Sequence, residues 1–86
     1  MDVNDVKATI RAGSHAAKNG AKTLAKAASD AADAERLARQ TIYDSQDKNA
    51  QKALDKLTEV AQEVKRTLRR FEAAVEHADA YIRAIG

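Results

Sequence analysis

The stretch Ile42-Tyr43-Asp44-Ser45-Gln46-Asp47-Lys48-Asn49 decides how this chain folds. It is polar and rich in turn and N-cap residues, and it separates two helical runs that do not share a phase. C-terminal to it, Ala50, Leu54, Leu57, Ala61, Val64, Leu68, Phe71, Val75, Ala78, Ile82 and Ile85 follow spacings of four and three in strict alternation. That spacing is the seam of a coiled-coil-like helix. A further column, Ala53, Val60, Thr67, Ala74 and Tyr81, repeats every seventh residue beside it. The third column widens the apolar face to about three-sevenths of the circumference, which suits a helix in a bundle.

N-terminal to the break runs a seam of small residues: Val3, Val6, Ile10, Gly13, Ala17, Gly20, Leu24, Ala27, Ala31, Ala34, Ala38 and Thr41, with Leu37 and Ile42 flanking it. Extended past Thr41 it would fall on Ser45, Lys48, Lys52, Asp55, Glu59 and Gln62, all polar. One continuous helix would therefore lose its apolar face halfway. The pattern instead predicts a helix over about 3–43, a turn over about 44–48 and a second helix over about 49–85, in one domain spanning 1–86. Ser45 or Asp47 is expected to cap the second helix. Each arm is about 60 Å long at the usual helical rise. Near-equal arms around a polar break point to an all-α, antiparallel two-helix hairpin.

If the chain reverses near residue 45, residue i lies opposite roughly 90 − i on helical geometry. Gly20 then faces the region of Phe71, and Ala31 and Ala34 face Val60 and Leu57. Large side chains meet small ones, so Gly13 and Gly20 are expected to be close-packing positions.

Composition agrees with helix and sets the scale. Of 86 residues 20 are Ala, the strongest helix former, and Pro is absent. A chain of this size buries about 60–65% of its unfolded surface, which makes a thin core. Small folds are usually supplemented by disulfides, a metal or association. Cys is absent, which removes the first, so association is the expected supplement. Leu54, Leu57, Val64, Leu68, Phe71, Val75, Tyr81 and Ile82 are expected to form the interface, pairing two hairpins into a four-helix bundle, with the chain itself or another helical protein as partner. One neighbouring helix cannot cover a face three-sevenths wide.

Candidate sites for chemistry are few. His15 has Arg11 and Lys18 at helical ligand spacing, and His77 has Ala74 and Tyr81, so no metal site is expected. Asp55, Glu59 and Glu63 stack on one face, where pairing with Lys56 and Arg66 is expected rather than acid–base work, since a helical hairpin offers no enclosing cleft. No nucleophile elbow or phosphate loop is present, and neither catalysis nor a cofactor is expected.

The net charge of +2 dictates no partner, but its distribution is uneven. Lys18, Lys22 and Lys26 in one half and Lys65, Arg66, Arg69 and Arg70 in the other would lie level in the hairpin. They form a candidate anion-binding belt, and a nucleic-acid-associated protein is the alternative reading. The belt carries no aromatics on which bases could stack. No apolar run reaches the roughly 18–20 residues of a membrane span. Asp2 and Asp5 stand where a leader would be basic, so the expected location is the cytoplasm, or outside the cell by a route without a cleaved leader.

In layout the chain resembles the WXG-type small helical-hairpin proteins of type VII secretion, as found in actinobacteria. The resemblance covers the whole chain: no Cys, two equal helices, a central turn. Where that family places Trp-x-Gly, this sequence has Tyr43-Asp44-Ser45. Where its export signal sets an acid four residues after a Tyr, Tyr81 is followed by Ile85. The resemblance implies a partner or chaperone-like adaptor for a larger, secreted helical protein.

Overall fold

The computed structural model describes residues 2–42 and 45–86. Helix α1 spans Val3–Ile42 and helix α2 spans Lys48–Ala84. They lie antiparallel as a hairpin measuring 64 × 16 × 15 Å. Its radius of gyration is 19.1 Å, against about 12 Å for a compact chain of the same length. The start of α1 and both ends of α2 fall within about one residue of those expected from the polar break, well inside the usual uncertainty of helix ends, while the expected end of the first helix at 43 lies outside the described residues. Tyr43 and Asp44 lie outside the described residues, and with them the start of the expected turn and the first two positions matched to the WXG motif.

Each helix start has a local cause. At α1 the Asp2 carboxylate accepts from the Asp5 backbone N–H at 2.9 Å, while Asp2 N–H donates back to Asp5 Oδ2 at 3.5 Å. This is the reciprocal arrangement of a capping box. At α2, of the two expected caps, Asp47 takes the role. Its Oδ1 accepts from Asn49 N–H at 2.7 Å and Ala50 N–H at 3.2 Å. Ser45 acts one step earlier, its Oγ accepting from Asp47 N–H at 3.1 Å. Gln51 closes the connection by donating from Nε2 to the Ser45 carbonyl at 3.1 Å.

The α2 seam packs as its spacing predicts. Leu54 and Ala61 are buried, and Leu57, Val64, Leu68, Val75, Ala78, Ile82 and Ile85 are half-buried. Phe71 is the exception, 36% exposed at the edge of the seam. The α1 seam differs from the expectation. Its column Ile10, Ala17, Leu24, Ala31 and Ala38 does face α2, but the second column is Ser14, Ala21, Ala28, Glu35 and Ile42, buried or half-buried throughout. The expected column of Gly13, Gly20, Ala27, Ala34 and Thr41 lies at the side, with Gly13, Ala34 and Thr41 exposed. Helix α1 is turned about 50° from the expected phase. The two competing columns, Gly13, Gly20, Ala27, Ala34 and Thr41 against Ser14, Ala21, Ala28, Glu35 and Ile42, are both poor in large apolar residues, so hydrophobicity barely distinguishes them. Particular contacts select the observed one: Ile42 gains cover, Ser14 reaches Asp79, and Phe71 needs room beside Gly20.

Candidate interaction surfaces

The turned α1 gives the hairpin two unlike flanks. On the first, Ser14 is the buried polar residue, 6% exposed, and its Oγ donates to Asp79 Oδ1 at 3.2 Å. Lys18 Nζ lies 3.7 Å from Asp79 Oδ2. Nearer the turn, Arg39 Nη2 reaches Thr58 Oγ1 at 3.1 Å and Glu35 Oε1 at 3.1 Å. These contacts tie α1 to α2 and fix their relative height. Between them opens a groove of about 440 Å³, with His15, Lys18 and Lys22 on one wall and Glu72 and Glu76 on the other. Its floor includes Ala21 and Val75. The groove exists because Ala21 is too small to fill the space between the helices.

The second flank is apolar and has no such ties. It carries the outer column of α1 (Gly13, Gly20, Ala27, Ala34) and the outer column of α2 (Ala53, Val60, Thr67, Ala74, Tyr81). Val60 is 52% exposed and Tyr81 51%. Leu37, 54% exposed, borders the same flank near the turn. Gly20 accommodates Phe71: a Cβ there would stand 2.8 Å from Phe71 Cε1 and 3.3 Å from Cδ1, too close for the ring to remain in place. This is the large-on-small contact expected from the reversal near residue 45. Gly13 is different. A Cβ there would meet nothing within 4 Å, so no neighbour in the hairpin accounts for a glycine at that position.

The eight residues expected at an interface therefore divide. Leu54 is buried within the hairpin, and Leu57, Val64, Leu68, Val75 and Ile82 are half-buried along the α1–α2 seam. They hold the two helices together. Phe71 and Tyr81 remain outward, joined by Val60 and Leu37. Val60 was legible as part of the third column. Leu37 was placed only as a flank of the expected α1 seam, and its position on the exposed side follows from the rotation of α1.

The basic belt divides as well. Gly20 against Phe71 puts Lys22 and Lys26 level with 65–70, while Lys18 lies further along, beside Asp79. Around the circumference the seven residues scatter, and acids answer three of them. Lys18 pairs with Asp79, Lys26 with Asp30 at 2.9 Å, and Arg66 with Glu63 at 2.7 Å. The hydrogen bond from Lys26 to the Asp30 carboxylate, with its charge, holds the Lys26 pKa above the ordinary lysine value. Lys22, Lys65, Arg69 and Arg70 have no ion pair among the described residues. Lys22 faces Glu72 and Glu76 across the groove. The acidic strip pairs as expected, Lys56 with Glu59 at 3.3 Å and Arg66 with Glu63.

Among the described residues no group of three or more His, Asp or Glu side chains is placed to hold a metal ion. No helix among the described residues is long and apolar enough to cross a membrane. No known family matches the chain, and neither does any curated protein or solved structure.

Proposed function

We propose that the hairpin is a non-enzymatic protein–protein interaction module that completes its fold by pairing into a four-helix bundle. The observation that carries this reading is the apolar flank. Val60, Tyr81 and Leu37 each leave about half of their surface to solvent along one side of a hairpin whose buried core is Leu54, Ala61 and Ser14. Burying a large apolar side chain completely stabilises by about 1.5–3 kcal/mol, so covering the exposed halves of Val60, Tyr81 and Leu37 would add about 2–4 kcal/mol to a thin seam. Large exposed apolar patches on small domains mark interaction sites.

The layout resemblance to WXG-type proteins supports a narrower version, an adaptor that pairs with a larger, exported helical protein. Four cations without an acid partner among the described residues, Lys22, Lys65, Arg69 and Arg70, support the second reading, association with nucleic acid. The acids interleaved with the belt favour the first.

Light scattering with circular dichroism over a dilution series, at low and moderate salt, tests both. Interaction through the flank gives either a salt-insensitive oligomer or a chain of marginal helicity awaiting a partner. A stable, cooperatively folded monomer at sub-micromolar concentration would remove obligate pairing. Nucleic-acid association requires binding that falls steeply with salt and weakens when Lys22, Arg69 and Arg70 are neutralised.

A further inference from the structure

We infer that the occupant of the apolar flank is a second copy of this chain. The two hairpins lie antiparallel, α1 on α1 and α2 on α2, about a twofold axis at the level of Thr67. This rests on the interaction reading above and adds the partner and the register.

Steric fit is the first argument. The contact between Gly20 and Phe71 sets the height of α1 against α2. It places the midpoint of the α1 outer column level with Thr67, the midpoint of the α2 outer column. A twofold at that height lays each column antiparallel on its own copy. On α2, Tyr81 then meets the partner's Ala53, Val60 meets the partner's Ala74, and Thr67 meets the partner's Thr67. Large meets small at the first two steps, and two Thr of equal size meet at the axis. On α1, Gly13 meets the partner's Ala34, small against small, which lets the helix axes approach closely. The open space over Gly13, unexplained within one hairpin, becomes the site of that approach.

Charge is the second argument, and it selects between two possible bundles. Glu63 and Arg70 rim the flank on α2, just outside the Val60–Thr67 column. In the antiparallel arrangement Glu63, which Arg66 already contacts within its own helix, lies within about one residue of the level of the partner's Arg70, so each carboxylate is shared between the two cations, and the twofold makes that approach twice. Arg70 has no ion pair within its own hairpin among the described residues. The other bundle puts both turns at one end and packs α1 on the partner's α2. It would set Asp30 level with the partner's Glu63, acid against acid on the same rim, with only Lys26 and Arg66 of their own helices to offset them. Opposite charges across an interface fix register in this way.

Area is the third. A flank 64 Å long and 16 Å wide presents about 1,000 Å² in projection, compared with about 800 Å² per partner in a standard stable interface.

The absence of cysteine makes the test clean, because an introduced thiol reports alone. In the full chain, Thr67→Cys should oxidise to a disulfide-linked dimer. A mixture of Ala53→Cys and Tyr81→Cys chains should cross-link, while either alone should not, its thiols lying about 40 Å apart at helical rise. Glu63→Arg should weaken the dimer about fivefold, and Glu63→Arg with Arg70→Glu should restore it. A dimer that cross-links through Ala34→Cys and Val60→Cys but not through Thr67→Cys would overturn the antiparallel arrangement and leave the interaction reading standing. A marginally helical monomer would overturn the second copy as occupant, and the flank would await another chain. A stable folded monomer would overturn both.

Discussion

The two helices are about equally long, yet they encode their packing differently, α1 holding 12 of the 20 Ala and α2 only 8. Along α2 the seam alternates Leu, Val, Phe and Ile with Ala, so one face is much more apolar than its neighbours. Along α1 the column Gly13, Gly20, Ala27, Ala34 and Thr41 and its neighbour Ser14, Ala21, Ala28, Glu35 and Ile42 are both short of large apolar side chains, and the helix could present either. Large side chains specify a phase, because leaving them out of the core forfeits burial energy. Small ones tolerate several, because burial of an Ala methyl differs little from one column to the next. The unequal encoding shows in the outcome. The phase of α2 agrees with its spacing, while α1 sits about 50° from its expected phase.

The largest expected effect sharpens this contrast. Leu54→Ala empties the best-buried large position and should cost about 2–4 kcal/mol, seen as a lower midpoint in urea or thermal unfolding. Leu24→Ala, half-buried on the Ala-rich helix, should cost less than half as much. Equal losses would mean that α1 specifies its packing as strongly as α2 does.

The two seam glycines give an effect of intermediate size and opposite sign. With the chain diluted to monomer, Gly13→Ala should stabilise by about 0.5–1 kcal/mol, since its Cβ enters open space and Ala is the better helix former. Gly20→Ala meets Phe71 at 2.8 Å and should destabilise by about 1 kcal/mol, the ring having to leave its place. Melting curves of the two variants decide the matter. If both stabilised alike, Phe71 would not be held against α1, and the observed α1 phase would lose one of its causes.

The fold was legible because it depends on features that survive ignorance of detail: a polar break, a phase that cannot be continued through it, and arms of equal length. The contact of Gly20 with Phe71 was legible for the same reason, since it follows from the reversal point. The candidate surface was legible in part. Val60 and Tyr81 stood out as a third column too wide for one neighbour to cover. Leu37 and the split of the basic belt did not, because both depend on how far each helix is rotated about its axis, and ion pairs such as Lys18–Asp79 link residues far apart in sequence.

A cap and a polar tie bring the smallest effects. Asp47→Ala removes the acceptor for Asn49 and Ala50 N–H and should cost about 1 kcal/mol. Ser14→Ala should cost about 0.5 kcal/mol, because Asp79 is partly exposed and water can replace the lost donor. The diagnostic measurement for Ser14→Ala is amide exchange along α1. Faster exchange at 10–20 without a matching change in α2 would show that this contact holds the phase of α1. Unchanged exchange would leave Phe71 and Ile42 to hold it.

Local chemistry was enough to dictate two helices, the capped break between them, their antiparallel return and the buried face of α2. Each follows from propensity, capping or a periodic row of large apolar residues. The rotation of α1 was settled only by tertiary contacts: a hydroxyl within reach of Asp79, a ring that needs the space above Gly20, and an Ile at the helix end seeking cover. The exposed flank follows from that rotation. Where neighbouring columns bury nearly the same area, the choice falls to a few specific contacts between distant residues, and those exist only once the chain has folded back on itself.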